Sequence, residues 1–176
     1  MVLRTECSNI VLIGFMGAGK SAVGQELSRM TGYSLLDVDR RIEKAEGKSI
    51  SEIFASSGEP AFREMEAREV EALSAGRNQV ISTGGGVVLR EENMKALMKH
   101  GVIVFLNTTA ETAYERTRRS THRPLLSGPD PLGRIQGMMK DREPYYLKHA
   151  DVVVDTDGKS PYEIAGEILE AVGWKS

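Results

Sequence analysis

The segment GFMGAGKS at residues 14–21 constrains the fold of this chain more than any other feature, because it fits the pattern GxxxxGK[ST]. It directly follows the short β-branched run NIVLI and precedes a segment with helical periodicity, so it joins a strand to a helix. Glycines in such a loop let backbone N–H groups curl around phosphate oxygens, and the following helix N-terminus adds positive potential. A glycine turn beside a surface lysine is the alternative, which the strand–loop–helix context disfavours. The loop therefore predicts nucleotide binding.

Two residues of this loop carry specific chemistry. Lys20 can neutralise the β and γ phosphates of a nucleotide, and Ser21 can ligate Mg²⁺.

A phosphate-binding loop alone does not separate kinases from GTPases, motors or switches. A GTPase should also carry an Asn-Lys-x-Asp element that reads the base, and the sequence contains none. Oligomeric ATPases usually exceed the 176 residues of this chain.

Short apolar runs bounded by turn residues alternate with helical segments along the whole chain. The runs are typical of strands buried on both faces, and they predict strands at residues 9–13, 34–37, 79–82, 101–106 and 151–155. Helical periodicity predicts helices at 20–30, 39–46, 51–55, 60–75, 91–100, 110–119, 131–148 and 160–172. Pro144 is expected to kink or shorten the helix at 131–148. The alternation predicts a single α/β domain over residues 1–176, with a five-stranded parallel sheet, helices on both faces, and ligands at the carboxyl ends of the strands.

Composition excludes several classes of function. Apolar residues make up 40% of the chain and charged residues 27%, which fits a globular domain rather than a disordered chain. A net charge of −2 gives no reason to expect a nucleic acid or an anionic membrane as partner. No apolar stretch approaches the roughly 20 residues of a membrane span. Cys7 is the only cysteine and cannot form an internal disulfide, which favours the cytoplasm.

Two carboxylates follow the second predicted strand. In the segment Asp37-Val38-Asp39, residues i and i+2 share one side of an extended chain, so both carboxylates could face one site. One could hold Mg²⁺ through its waters while the other accepts the proton of a substrate hydroxyl. The alternative is a helix N-cap followed by a charge in the first helical turn. Asp155, on a strand expected at the sheet edge, is a rival metal ligand.

The run STGGG places three consecutive glycines, Gly84, Gly85 and Gly86, after the third predicted strand. Such a run would weaken the interior of a helix or a strand, whereas it suits backbone that approaches a ligand closely. A merely flexible turn is the alternative interpretation.

Several arginines are candidates for binding anions. Arg63 and Glu66 are spaced i, i+3 and should share one helical face. Residues 118–130 show no periodicity and are rich in turn formers, so we predict a mobile lid there. Arg123 in that lid could stabilise a transferring phosphoryl group, and Arg142 follows later in the chain. Most surface arginines form solvated ion pairs, and a helix C-terminus could account for Arg116, Arg118 and Arg119.

The motifs GFMGAGKS, DVD, SxSEIF, FRxxE, STGGG, RPLL and RxPYY occur in this order, and together they resemble the shikimate kinases, a family of the nucleoside-monophosphate-kinase-like P-loop group. The resemblance covers residues 9–161. It implies Mg²⁺-dependent transfer of the γ-phosphate of ATP to the 3-hydroxyl of shikimate, one Mg²⁺ ion being bound with ATP. The product would be shikimate 3-phosphate, on the route to chorismate and the aromatic amino acids. The resemblance also implies a three-layer α/β/α fold with strand order 2-3-1-4-5, a shikimate-binding region at residues 37–66, and a monomer.

The resemblance assigns roles residue by residue. It implies that the nucleotide contacts are Gly17, Ala18, Gly19, Lys20, Ser21, Ala22, Arg116, Arg123 and Pro161, with Arg116 and Pro161 on either side of adenine. It implies that shikimate contacts Asp39, Arg63, Gly84, Gly85, Gly86 and Arg142. The metal ligands would be Ser21 and Asp37, the second acting through water. The catalytic residues would be Lys20, Asp39 and Arg123, while Glu66 would orient Arg63.

Ala22 departs from the pattern of the family, whose phosphate loop commonly continues GKST. A hydroxyl at that position can help to hold the α-phosphate, so we expect somewhat weaker nucleotide binding here. Three other functions stay open at this point: a gluconate-type or nucleotide kinase, a switch that binds ATP without phosphorylating anything, and a structural domain. The last is disfavoured because Lys20 and Ser21 are both present.

Overall fold

Five short apolar runs pair into one parallel sheet in the computed structural model, which describes residues 8–118 and 129–174. The strands are β1 (Asn9–Ile13), β2 (Ser34–Asp37), β3 (Gln79–Ser82), β4 (Gly101–Asn107) and β5 (Val152–Asp155). Their order is β2-β3-β1-β4-β5, which confirms the predicted fold. The central strand β1 pairs with β3 on one side and β4 on the other, so it is buried along its whole length.

Within the described ranges, seven α-helices and one 3₁₀ turn (Val87–Leu89) surround the sheet. The helices are α1 (Lys20–Thr31), α2 (Val38–Glu46), α3 (Ile50–Ser74), α4 (Glu91–Met98), α5 (Ala110–Thr117), α6 (Pro131–His149) and α7 (Pro161–Ala171). Capping boxes start α3 at Ser49 and α7 at Ser160. In each, the serine hydroxyl accepts a hydrogen bond from the backbone N–H of the glutamate three residues later, and the carboxylate of that glutamate accepts one from the backbone N–H of the serine. No helix of residues 8–118 and 129–174 is both long and apolar enough to cross a membrane.

Successive residues of the central strand point into two separate cores. Val11 and Ile13 pack in one cluster, together with residues of α3 and α4, while Ile10 and Leu12 pack in the other, together with residues of α1 and α7. This alternation is the period-two geometry of a strand covered on both faces. The result is a three-layer α/β/α arrangement, whose strands end together at one edge of the sheet.

Most predicted helices match the structure to within one or two residues at each end, and two predictions differ more. The segments 51–55 and 60–75 were expected to form separate helices, but they join in α3 across one non-helical residue, Gly58 (φ 80°, ψ 168°). Pro144 was expected to kink or shorten its helix, and the shortening is wrong, because α6 runs through this residue to His149. Proline removes only one helical hydrogen bond there, and buried side chains on both sides of it, Ile135 and Tyr146, hold the helix against the core.

Candidate active site

A cavity of about 540 Å³ opens where the strands end at their carboxyl termini. This volume lies within the range of small-molecule sites, and the location is the one at which open parallel sheets bind ligands. The cavity walls come from the loop after β1, the start of α2, both halves of α3 and the loop after β3. Two arginines from distant helices complete the lining, Arg116 of α5 and Arg142 of α6.

The phosphate loop depends on glycine at two positions that line the cavity. Gly17 (φ 80°) and Gly19 (φ 93°) both adopt the left-handed region, which side chains with a Cβ rarely enter. A Cβ on Gly17 would also lie 2.9 Å from the carbonyl oxygen of Ala113. Arg116 Nη1 donates to the carbonyl oxygen of Gly17 over 3.0 Å, so α5 braces the loop. The last turn of α5 thus places Arg116 at the loop, while Arg118 pairs with Glu115 on the surface.

Lys20 lies across the mouth of the phosphate loop. Its Nζ donates to the carbonyl oxygens of Gly14 over 2.7 Å and Phe15 over 2.9 Å. The ammonium group therefore lines the cavity beside the start of α1, where it adds to the positive potential of the helix N-terminus. Ala22 also lines the cavity, whereas the side chain of Ala18 is buried in the core beneath the loop.

Asp37 combines the two interpretations open from the sequence. Its Oδ1 accepts from the backbone N–H of Arg40 over 3.1 Å and caps α2, while its Oδ2 accepts from Ser21 Oγ over 3.0 Å. Mg²⁺ in kinases is held by one or two protein oxygens, together with waters and phosphate oxygens, so this donor pair fits the ion. Residues 8–118 and 129–174 contain no group of three or more His, Cys, Asp or Glu residues that could hold a metal by themselves.

Asp39 reaches the cavity by a different geometry from the one expected. Helix α2 begins at Val38, so Asp39 lies in the first helical turn and not on an extended strand beside Asp37. Both side chains nevertheless line the cavity. Asp39 Oδ1 is buried and has no hydrogen-bond partner among the described residues. Burial raises the pKa of Asp39 to about 6, the negative charges of Glu66 and Asp37 add to the rise, and Lys20 opposes it.

Arg63 is fixed by two carboxylates of its own helix. Its Nη1 donates to Glu66 Oε2 over 2.8 Å, and its Nη2 donates to Glu59 Oε1 over 3.0 Å. Glu66 is only 1% exposed, and burial raises the pKa of its carboxyl group while Arg63 opposes the rise. The expected shared helical face is therefore present. Glu66 Oε1 is a second buried carboxylate oxygen without a partner among the described residues.

The three glycines after β3 are needed because there is no space for side chains. Their backbone angles are ones that other residues could also adopt. None of Gly84, Gly85 and Gly86 has a positive φ. A Cβ on Gly86 would lie 2.3 Å from Arg63 Nη2, and a Cβ on Gly84 would lie 3.0 Å from Asp39 Oδ1. Charged side chains pack tightly against this loop, which favours close approach to a ligand over a merely flexible turn. Arg142 Nη1 would lie 3.7 Å from a Cβ on Gly85.

Two arginines from separate helices thus meet at one end of the cavity. Arg63 comes from α3, and Arg142 comes from α6, where its guanidinium carbon lies 5.7 Å from the ring centroid of Phe15. Asp39 and Glu66 face the same glycine loop. The phosphate loop, with Lys20 and Ser21, lines the same cavity. This arrangement can bind a phosphate chain and a small anion side by side, with a carboxylate near both.

Some predicted site residues lie elsewhere. Pro161 begins α7 and does not line the cavity, and Asp155 accepts from Asn107 Nδ2 over 2.8 Å at the sheet edge. Arg123 lies outside the described residues, as does most of the predicted lid at 118–130. Seven residues of the cavity lining had no predicted role: Met16, Glu43, Ile50, Phe54, Phe62, Ser82 and Thr83. A signal for two of them, Phe54 and Phe62, was present in the motifs SxSEIF and FRxxE, whose apolar members were given no role.

Comparison with known protein sequences points in one direction. A family model described as SKI: Shikimate kinase matches residues 16–173. Relatives named shikimate kinase from Symbiobacterium thermophilum and Thermodesulfovibrio yellowstonii are each 47% identical to this chain. The first alignment covers 92% of this chain and 94% of the relative, and the second covers 92% and 93%.

Solved structures agree with the sequence comparisons. The shikimate kinase from Acinetobacter baumannii in complex with shikimate superposes with a TM-score of 0.92 at 34% identity, covering 94% of this chain and 93% of that one. The shikimate kinase from Aquifex aeolicus gives 0.82 at 41% identity, covering 94% and 96%. A gluconokinase from Sinorhizobium meliloti gives 0.58 at 19% identity over 97% and 94%, which is a likeness of fold alone.

Proposed function

The chain belongs to the shikimate kinase family, and we propose that its central cavity is where ATP and shikimate bind side by side. It is an ATP-dependent kinase that phosphorylates the 3-hydroxyl of shikimate, giving shikimate 3-phosphate and ADP for aromatic amino acid biosynthesis. One observation carries the assignment of the site. A single cavity joins a phosphate loop to two arginines and a buried carboxylate.

The nucleotide occupies the end of the cavity formed by the phosphate loop. Backbone N–H groups of residues 17–22 face the phosphates, and Lys20 shifts from the loop carbonyls to the β and γ phosphates. Ser21 and Asp37 hold Mg²⁺, Asp37 acting through water. When bound, this ion would neutralise charge on the β and γ phosphates. The adenine extends beyond the cavity lining to lie between Arg116 and Pro161, and Arg123 contributes positive charge to the phosphates.

Shikimate occupies the end formed by α3, α6 and the glycine loop. Arg63 and Arg142 grip its carboxylate, since guanidinium forks bind carboxylates through paired hydrogen bonds. Glu66 keeps the guanidinium of Arg63 oriented through their 2.8 Å hydrogen bond. The ring of shikimate lies along the glycine loop formed by Gly84, Gly85 and Gly86. It fills the space that side chains would otherwise occupy there.

Asp39 receives the 3-hydroxyl in the reaction. The oxygen of that hydroxyl forms a bond to the γ-phosphorus, the bond from the γ-phosphorus to the bridging oxygen of ADP breaks, and the hydroxyl proton passes to the carboxylate. Phosphoryl transfer depends mainly on positioning and charge stabilisation, which Lys20 and the arginines supply. A pKa of about 6 leaves Asp39 ionised near neutral pH, yet a stronger proton acceptor than an ordinary aspartate.

We propose that the chain acts as a single-domain monomer in the cytoplasm. The resemblance to the family supports the monomer, and the single cysteine, Cys7, supports a reducing compartment. Sedimentation should then give one species near the 19.3 kDa of the chain.

A coupled assay of ADP release tests the function directly. Purified protein with ATP and Mg²⁺ should release ADP when shikimate is added, and not when gluconate or a nucleoside monophosphate replaces it. Asp39→Asn is the matched variant, and it should retain ATP binding while losing most of the shikimate-dependent turnover. ADP release that follows gluconate instead would identify a gluconate-type kinase, and ATP binding without any acceptor-dependent release would identify a switch.

A further inference from the structure

Tyr146 is the largest fully buried side chain described in the molecule, and none of the roles discussed above uses it. It lies on α6 four residues after Arg142, so the two side chains share one face of the helix. Its ring stacks on Phe105 of β4, with the centroids 4.9 Å apart and the planes 19° from parallel. The ring is therefore anchored in the core, while its hydroxyl reaches Gly85 of the cavity lining.

The hydroxyl of Tyr146 donates a hydrogen bond to the carbonyl oxygen of Gly85. Burial raises the pKa of Tyr146 to about 12, and the nearby guanidinium of Arg142 opposes this rise. The phenol thus keeps its proton throughout the physiological range and remains a donor. It lies between two groups of the shikimate end, the guanidinium of Arg142 and the backbone of the glycine loop.

The glycine loop needs an external anchor because its three residues have no side chains to pack. The carbonyl oxygens of Gly84 and Gly86 accept from the backbone N–H groups of Val87 over 3.2 Å and Leu89 over 3.1 Å. The middle carbonyl, that of Gly85, accepts from Tyr146 instead. A glycine peptide without such a bond is free to rotate, since glycine has the widest range of backbone angles. The side chain of Tyr146 therefore fixes the one peptide that local turns do not.

We propose that Tyr146 is a positioning residue, whose hydroxyl holds the Gly85 carbonyl and the Arg142 guanidinium in the arrangement that binds shikimate. This inference rests on the proposed function of the cavity and adds a residue to its shikimate end. The hydrogen bond of Tyr146 goes to the glycine loop, so we expect its loss to affect shikimate and not the nucleotide.

Tyr146→Phe tests the proposal, because it removes one hydroxyl and keeps the ring that stacks on Phe105. The KM for shikimate should rise about fivefold to tenfold, the effect of one lost hydrogen bond to a partly buried acceptor. The KM for ATP should stay within about twofold of the wild type. A purely structural role would instead lower the melting temperature and change both KM values together.

Tyr145→Phe is the matched control, since it makes the same chemical change at the neighbouring position, where the side chain is 46% exposed. It should leave both KM values unchanged. Combining Tyr146→Phe with Arg142→Lys supplies a second test, because residues that act through one another have non-additive effects. The double variant should bind shikimate only slightly more weakly than Arg142→Lys alone.

Calorimetric titration with shikimate separates an effect on binding from an effect on folding. The stoichiometry gives the fraction of the protein that is folded, and Kd gives the affinity of the site for shikimate. An unchanged Kd for Tyr146→Phe, or equal losses for shikimate and ATP, would overturn the role of Tyr146 while the function stands. Wild-type protein that neither binds nor phosphorylates shikimate would overturn the proposed function, and with it this inference.

Discussion

At the scale of single residues, Asp39 links the chemistry of the site to pH. Its carboxylate must be ionised to accept a proton from a hydroxyl, and its pKa is raised to about 6. We therefore expect kcat/KM for shikimate to fall as the pH drops through about 6, towards a tenfold loss for each further pH unit. Rate measurements between pH 5 and pH 8 check this. A profile that stays flat down to pH 5 would remove Asp39 from the role of proton acceptor.

The same residue should lower the stability of the fold. A folded-state pKa above the ordinary value of 3.8 means that the folded protein binds the proton more tightly than the unfolded chain does. The stabilising contribution of Asp39 is thus complete below pH 4 and is lost as the pH rises through 6. At pH 8 the free energy of unfolding of Asp39→Asn should accordingly exceed that of the wild type by up to about 3 kcal/mol, and at pH 4 the two should be equal. Denaturant unfolding at the two pH values measures both differences.

Exposed Asp141 provides the control for that measurement, because Asp141→Asn removes one carboxylate from the surface of α6. This variant should follow the wild type at both pH values. If Asp39→Asn is instead less stable than the wild type at pH 8, then the fold stabilises the ionised carboxylate of Asp39, and the electrostatic account of the site is wrong. Residues that serve a reaction commonly cost stability in this way.

The roles of several residues could be predicted from the sequence, because these roles depend on short spacings along the chain. Lys20 and Ser21 follow from the loop pattern, and the pairing of Arg63 with Glu66 follows from helical periodicity. Tyr146 could not be predicted, because its partner Gly85 lies on a loop brought to it by the sheet. The RxPYY motif signalled both tyrosines without saying which of them is buried.

At the scale of elements, Gly58 shapes the cavity by breaking α3. Its angles lie in a region that is essentially restricted to glycine. The segment before the break contributes Ile50 and Phe54 to the cavity, and the segment after it contributes Arg63 and Glu66. An unbroken helix could not place both segments around one ligand, so the kink is a requirement of the site.

Gly58→Ala tests that requirement. A Cβ would meet only Pro60 Cδ at 3.7 Å, so the cost comes from backbone strain and not from a clash. We expect the free energy of unfolding to fall by about 1–3 kcal/mol and the KM for shikimate to rise while that for ATP changes little. Gly166→Ala in α7 is the control, because its Cβ would have nothing within 4 Å and should stabilise the protein by up to about 1 kcal/mol. Equal effects of the two substitutions would contradict a role for the kink.

The elements themselves were largely predictable, for physical reasons that also explain the exceptions. The strands β1 and β3 lie where short apolar runs end at turn residues, because strands buried on both faces have no polar face. Whether α6 continues past Pro144 depends on how Ile135 and Tyr146 pack against the core, and local helix propensity cannot predict that packing. Strand order required the family resemblance, since a helical crossover can lead to either side of a sheet.

At the scale of the whole molecule, the cavity is the junction of elements from both faces of the sheet. Helix α1 packs in one core and α3 in the other, and both contribute side chains to the lining. Ligands that bridge these elements should stabilise the entire fold, because binding to the folded state alone shifts the unfolding equilibrium. Stability therefore offers a readout of each end of the cavity that does not depend on turnover.

The last prediction uses this linkage to separate the two ends. Shikimate at about 100 times its Kd should raise the free energy of unfolding by about 2.7 kcal/mol, and ADP with Mg²⁺ should do the same. Arg63→Lys should lose most of the increment from shikimate and keep that from the nucleotide, because lysine cannot form the paired hydrogen bonds of a guanidinium. Arg41→Lys, in the surface pair with Glu69, is the matched control and should keep both increments. If Arg63→Lys loses the nucleotide increment as well, the two ends are one binding site and the division of the cavity proposed here is wrong.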